Sequence, residues 1–101
     1  MANINVSIPY QLSPDEALRR IRIYVSEVKA QYAGVISDFQ ESWNGSVGSF
    51  SGSAKGHAAS GNILVNPGMV FVELTIPPLA ALFGKGKIES EIRARLSAVL
   101  T

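Results

Sequence analysis

A chain of 101 residues, 47% hydrophobic and 17% charged, is one domain's worth of sequence, apolar enough to build a core and too apolar to stay disordered. Nine Lys and Arg against eight Asp and Glu leave a net charge of +1, which argues against a nucleic-acid-binding surface with its basic excess. The absence of cysteine excludes disulfides and thiolate metal sites, and a single histidine excludes a multi-histidine metal centre.

Residues 1–10 carry no basic run and no apolar stretch, so no secretory leader is expected, and the cytoplasm is the expected location. The most apolar stretch, residues 76–83, holds two prolines and falls far short of the ~20 residues a membrane-spanning helix needs. No internal repeat is visible, and a single domain over residues 1–101 is expected.

Ile4, Val6 and Ile8 alternate with Asn3, Asn5 and Ser7, the period of a half-buried strand, and Pro9 ends it. Ser13-Pro14-Asp15-Glu16 is a helix start: a side-chain cap, a proline suited to the first turn, and a glutamate three residues after the cap. This helix should run to about residue 32, with Gly34 stopping it. Leu18, Ile21, Val25, Val28 and Tyr32 form its buried stripe, and Asp15–Arg19 and Glu16–Arg20 are favourable i,i+4 pairs.

Val35, Phe39 and Trp43 share one face of a second strand, and Asn44-Gly45 reads as a hairpin turn with both residues at positive φ. Residues 46–55 form a third strand, in which Val47 and Phe50 stand among serines and glycines, and Gly56 turns the chain. Residues 57–65 form a fourth, and Asn66-Pro67-Gly68 a turn. Residues 69–76 are the strongest strand, with Val70, Val72, Leu74 and Ile76 on one face and Met69 and Phe71 on the other. A last helix starts at about Lys87 with the stripe Ile88, Ile92, Leu96 and Val99, and with Glu89–Arg93 and Glu91–Arg95 pairs. The order β-α-β-β-β-β-α predicts an α+β fold: one antiparallel sheet of about five strands with both helices on one face.

The capped LSPDEA start at Leu12, Trp43 ahead of a turn, the strand GNILV beginning at Gly61, and the ending from Val72 through FGKGKIESEIRARL to Leu100 together resemble one small bacterial family. It is described as putative polyhydroxyalkanoic acid system protein, and the resemblance covers nearly the whole chain. It implies association with polyhydroxyalkanoate storage granules. The family often carries an acidic residue just after the Trp-turn; Ser46 stands there in this chain, so no role is carried onto it. The element order is also similar to a shortened helix-grip domain, in which a curved sheet holds a C-terminal helix, and that likeness implies apolar-ligand binding.

The candidate chemistry is sparse. His57 is either a partner for an activated hydroxyl or a surface residue at a strand end, and no nucleophile elbow accompanies it. Glu41, beside Phe39 and Trp43, and Glu73, beside Met69 and Phe71, are either acids in apolar settings or solvated at the sheet rim. Arg19, Arg20, Arg22 and Lys29 read as a solvated helix face. Gly84-Lys85-Gly86-Lys87 is an anion site at a helix start or a hinge. Leu79, Leu82 and Phe83, flanked by Lys85 and Lys87, are a docking patch for a granule or protein partner, or a plug in the core. Ile23, Met69 and Phe71 are candidates for self-association, and a homodimer is expected.

These readings predict a non-enzymatic accessory protein of the polyhydroxyalkanoate system, acting through a granule or protein surface and needing no cofactor, metal or nucleic acid. The alternative is an apolar-ligand binder with a pocket of ~300 Å³ or more between the sheet and the C-terminal helix.

Overall fold

The computed structural model describes residues 2–54, 56–76 and 84–101. Its elements are β1 (Ala2–Pro9), α1 (Pro14–Gln31), β2 (Ser37–Asn44), β3 (Val47–Ala54), β4 (His57–Asn66), β5 (Met69–Ile76) and α2 (Lys85–Val99), the α+β order expected. The strands form one antiparallel five-stranded sheet in the order β1-β5-β4-β3-β2, so β2 to β5 are a meander and β1 returns to its far edge.

Two turns set the register. Asn44 pairs with Val47, which leaves Gly45 and Ser46 as the central residues of the β2–β3 turn. Gly45 alone has positive φ, 62°, so Asn44 stays in its strand instead of occupying the turn. One glycine in the first central position is the type II′ solution, whose twist suits a hairpin as well as the expected type I′. Between β4 and β5, Pro67 and Gly68 are central, and Gly68 at φ 80° supplies the conformation that proline cannot.

Helix α1 starts where its capping sequence puts it. The Ser13 hydroxyl accepts the Glu16 amide at 3.2 Å from a residue in extended conformation. Glu16 gathers both following arginines, with Arg20 Nε at 2.8 Å from its carboxylate, so the expected Asp15–Arg19 pair gives way to a Glu16–Arg19 pair. Hydrogen bonds from Arg19 and then Arg20 hold the Glu16 carboxyl down to about 2, against an ordinary 4.5. The helix ends without help from Gly34: the Tyr32 amide closes onto Val28, and the Ile36 amide turns back onto Tyr32 at 2.9 Å. Tyr32, expected in the buried stripe, is 45% exposed, while Ala17 and Ile21 are fully buried.

Helix α2 begins at Lys85, two positions before the expected start, after Gly84 at φ 116°. Leu96 within it and Leu100 at its C-terminal cap are buried. The Glu91–Arg95 pair forms at 2.8 Å, whereas Arg93, expected to pair with Glu89, donates to the Ser7 carbonyl at 3.0 Å. Arg20 reaches across from α1 and donates to the carbonyls of Val99 at 3.3 Å and Thr101 at 2.9 Å. It thereby satisfies acceptors that the end of a helix leaves open and sets a positive charge at the negative end of the α2 dipole.

The core lies to one side of the sheet. Ile4, Val6, Ile8, Val70 and Ile21 are its largest fully buried side chains, joined by Val65, Val72, Leu96 and Leu100. Antiparallel pairing of Ile4 with Leu74, Val6 with Val72 and Ile8 with Val70 puts every second residue of β1 and β5 on the same face. Both helices cover that face, α2 over β1 and α1 over β4, so the packed core belongs to the β1–β5–β4 side. The C-terminal helix thus rests on an edge strand and is not gripped at the middle of the sheet.

The Ser13 cap has a measurable consequence. Ser13→Ala is expected to lower unfolding stability by ~1 kcal/mol, read as a shifted midpoint in urea at unchanged slope.

Candidate functional site

The same face changes character beyond β4. Register places Trp43, Gly48, Ile63, Val72 and Val6 in one row across the sheet, and Glu41, Phe50, Gly61, Leu74 and Ile4 in the next. Gly52 opposite Ala59 continues the pattern. On the β1 side these rows carry branched aliphatic residues that meet the helices. On β3 and β4 they alternate large residues, Phe50 and Ile63, with the small Gly48, Gly52, Ala59 and Gly61.

The glycines are occupied by their neighbours. A Cβ at Gly48 would lie 2.8 Å from the Trp43 ring, one at Gly52 2.8 Å from Ile36, and one at Gly61 2.6 Å from Leu74 Cδ2. Large side chains therefore lie flat along the sheet: Trp43 and Phe50 meet edge to face at 5.6 Å, and Phe39 and Phe50 at 6.4 Å.

Helix α1 is propped by Ala17 and Ile21 on the thick side and passes over the thin side. The result is an apolar groove of about 650 Å³ between them. Tyr24, Val25 and Val28 form its roof; Phe39, Phe50, Gly52, Ala59, Gly61, Ile63 and Leu74 line its floor. Burial, only partly offset by Arg95, raises the Tyr24 hydroxyl above its ordinary value and keeps it neutral. The described lining includes no residue of α2, so this groove lies beneath α1 and not beside the C-terminal helix, where Leu96 and Leu100 are buried in the core.

Long side chains bridge the open side, between α1 and β2. The Arg22 guanidinium lies 5.2 Å from the Trp43 ring centroid, and the Lys29 ammonium 5.4 Å from that of Phe39. Lys29 is also 4.0 Å from Glu41, whose second oxygen accepts the Trp43 indole N–H at 2.8 Å. The cationic face of α1 is therefore only partly the solvated surface expected. Glu41 is engaged by Trp43 and Lys29, whereas Glu73 is exposed on the opposite sheet face.

His57 is exposed at the start of β4, where it lines the groove; among the described residues it makes no hydrogen bond to a hydroxyl or carboxylate. Leu79, Leu82 and Phe83 lie outside the described residues, as does the proposed docking bridge they form. Lys87 is exposed in the first turn of α2; Lys85 opens that helix. Ile23 is 47% exposed on the outer side of α1, and Phe71 39% exposed on the uncovered face of the sheet. The α1 and sheet layers separate them, so they do not make one patch. Among the described residues no cluster of acidic groups or histidine could hold a metal ion, and no helix is long and apolar enough to cross a membrane.

Fold and groove together define a small α+β domain that holds an apolar cleft between an antiparallel sheet and its first helix. A family model described as putative polyhydroxyalkanoic acid system protein matches residues 4–100, and the chain belongs to that family. No curated protein and no solved structure matches it.

The buried stripe expected of α1 holds for Val25, which packs on the core, but Val25 and Val28 also line the groove with Lys29, a cleft that the periodicity does not reveal. The signal was the glycines at inward positions of β3 and β4, where a strand loses side chain for close approach. Gly61→Ala should cost ~1–3 kcal/mol by overpacking against Leu74. Gly86→Ala in α2, where a Cβ meets nothing within 4 Å, should instead stabilise by ~0.5–1 kcal/mol. Urea unfolding of the two variants checks both signs.

Proposed function

We propose that this chain is a non-catalytic accessory protein of the polyhydroxyalkanoate storage system that holds an apolar chain in the groove under α1. The observation that carries this reading is the groove itself, whose volume of about 650 Å³ falls within the ~300–1,000 Å³ of small-molecule sites. A small domain that leaves Val25, Val28, Phe39 and Phe50 around an open cleft gives up core it needs, unless a ligand fills the space. Binding is favoured over turnover because the one imidazole has neither a nucleophile nor an orienting acid bonded to it among the described residues. The family supports a place in the polyhydroxyalkanoate system.

Nile red, a neutral dye that brightens in apolar surroundings, tests the reading. The wild-type protein is expected to bind it saturably. Ala59→Phe, which places a ring in the groove from its half-buried floor position, should abolish binding while leaving the circular dichroism spectrum unchanged. Equal binding by the folded variant overturns the assignment.

We also propose that the open sheet face carries a homodimer contact, supported by the adjacent Phe71, Leu64 and Val47, of which Phe71 and Val47 are each 39% exposed. Sedimentation at high micromolar concentration should give a dimer mass for the wild type and a monomer mass for Phe71→Ser. A monomer mass for both refutes it.

A further inference from the structure

Among the described residues that line the groove, Lys29 is the only Lys, Arg, Asp or Glu. It stands on the roof helix at the open side, over the face of Phe39. A site lined mainly by apolar side chains, with His57, Asn62, Tyr24 and a few serines among them and one ammonium at its open side, suits a molecule with the converse layout: a long apolar body and one anionic end.

We propose that the groove takes a monoanionic amphiphile, an alkyl carboxylate, with its head group on Lys29 and its tail over β3 and β4 beneath α1. This rests on the reading of the groove as an apolar binding site. Lys29 is available for the role because its present partners hold it weakly. Glu41 is at 4.0 Å, the far limit of an ion pair, and is itself anchored by the Trp43 indole at 2.8 Å. A carboxylate in direct contact with the ammonium would be the closer partner.

The tail is accommodated by the thin side of the sheet. Ile36 lies over Gly52 and Leu74 over Gly61, so that with the Ala59 methyl they make a low apolar floor beneath Val25 and Val28 on which an unbranched chain can lie.

The test is displacement of Nile red by dodecanoate, dodecanol and dodecylammonium, each below its critical micelle concentration. In the wild type dodecanoate should displace the dye about tenfold more effectively than dodecanol, with dodecylammonium weakest, and added salt should narrow the gap. Lys29→Met should bring dodecanoate to the level of dodecanol. Lys29→Glu should pass the preference to dodecylammonium. Equal displacement by all three in the wild type, or a carboxylate preference that survives Lys29→Met, overturns the head-group assignment while leaving the apolar groove standing. Displacement by none of them overturns the assignment together with the groove reading.

Discussion

Eight residues at one end of the sequence must find eight near the other before this molecule has a core. β1 pairs with β5 from Ala2 opposite Ile76 to Pro9 opposite Met69, and three of the five largest fully buried side chains, Ile4, Val6 and Ile8, enter on β1. Each helix takes its position from that ladder. α2 lies along β1 through Leu96 and Leu100, and α1 sits over β4 through Ala17 and Ile21. Without β1 the meander of β2 to β5 would offer a half-apolar face with too little on it to anchor either helix.

Concentrating the core at one side is also what creates the cleft at the other. A helix is a straight rod, and its distance from the sheet is set where it packs most tightly. α1 is held at the height of Ile21 on branched aliphatic residues and continues at that height over strands whose inward positions include Gly48, Gly52, Ala59 and Gly61, with neighbouring side chains lying flat upon them. The void is therefore a consequence of layer thickness and needs no special loop. The polar contacts confirm the division of labour. Arg20 and Arg93 spend their donors on backbone carbonyls of α2 and β1, fastening the packed side, whereas Arg22 and Lys29 lie on aromatic faces across the cleft.

Most of the fold was legible because its signals are local and agree with one another. Alternation in β1 and β5, the Ser13 cap and the Pro67-Gly68 turn each name a conformation that tertiary packing then keeps. The departures occur where two local solutions were nearly equal. Asn44-Gly45 and Gly45-Ser46 both make hairpin turns, and pairing of Asn44 with Val47 decides between them. Glu16 had two arginines within reach and took both. The cleft was hidden for a different reason: helical periodicity reports which side of α1 faces the sheet, and it is silent on how far away the sheet is. Val25 and Val28 are inward by period, and Val25 packs on the core, yet both also border the groove, because the sheet beneath their outer side is thinned by glycines on strands far away in sequence.

The glycine- and serine-rich strand β3 has a further consequence for how the domain moves. Its side chains add little packing beyond Val47 and Phe50, its glycines carry a large entropy of ordering, and its neighbour β2 is an edge strand whose pairing shifts between Ser37 and Gln40, with Asp38 at φ 54°. The β2–β3 hairpin is thus the cheapest part of the sheet to open, while β1 and β5 open only with the whole molecule. In amide-exchange terms the domain has a fast half and a slow half, and the cleft spans the boundary between them. A bound tail would fasten the fast half to α1, so occupancy would register as slowed exchange in β2 and β3, strands that contribute almost nothing to the core.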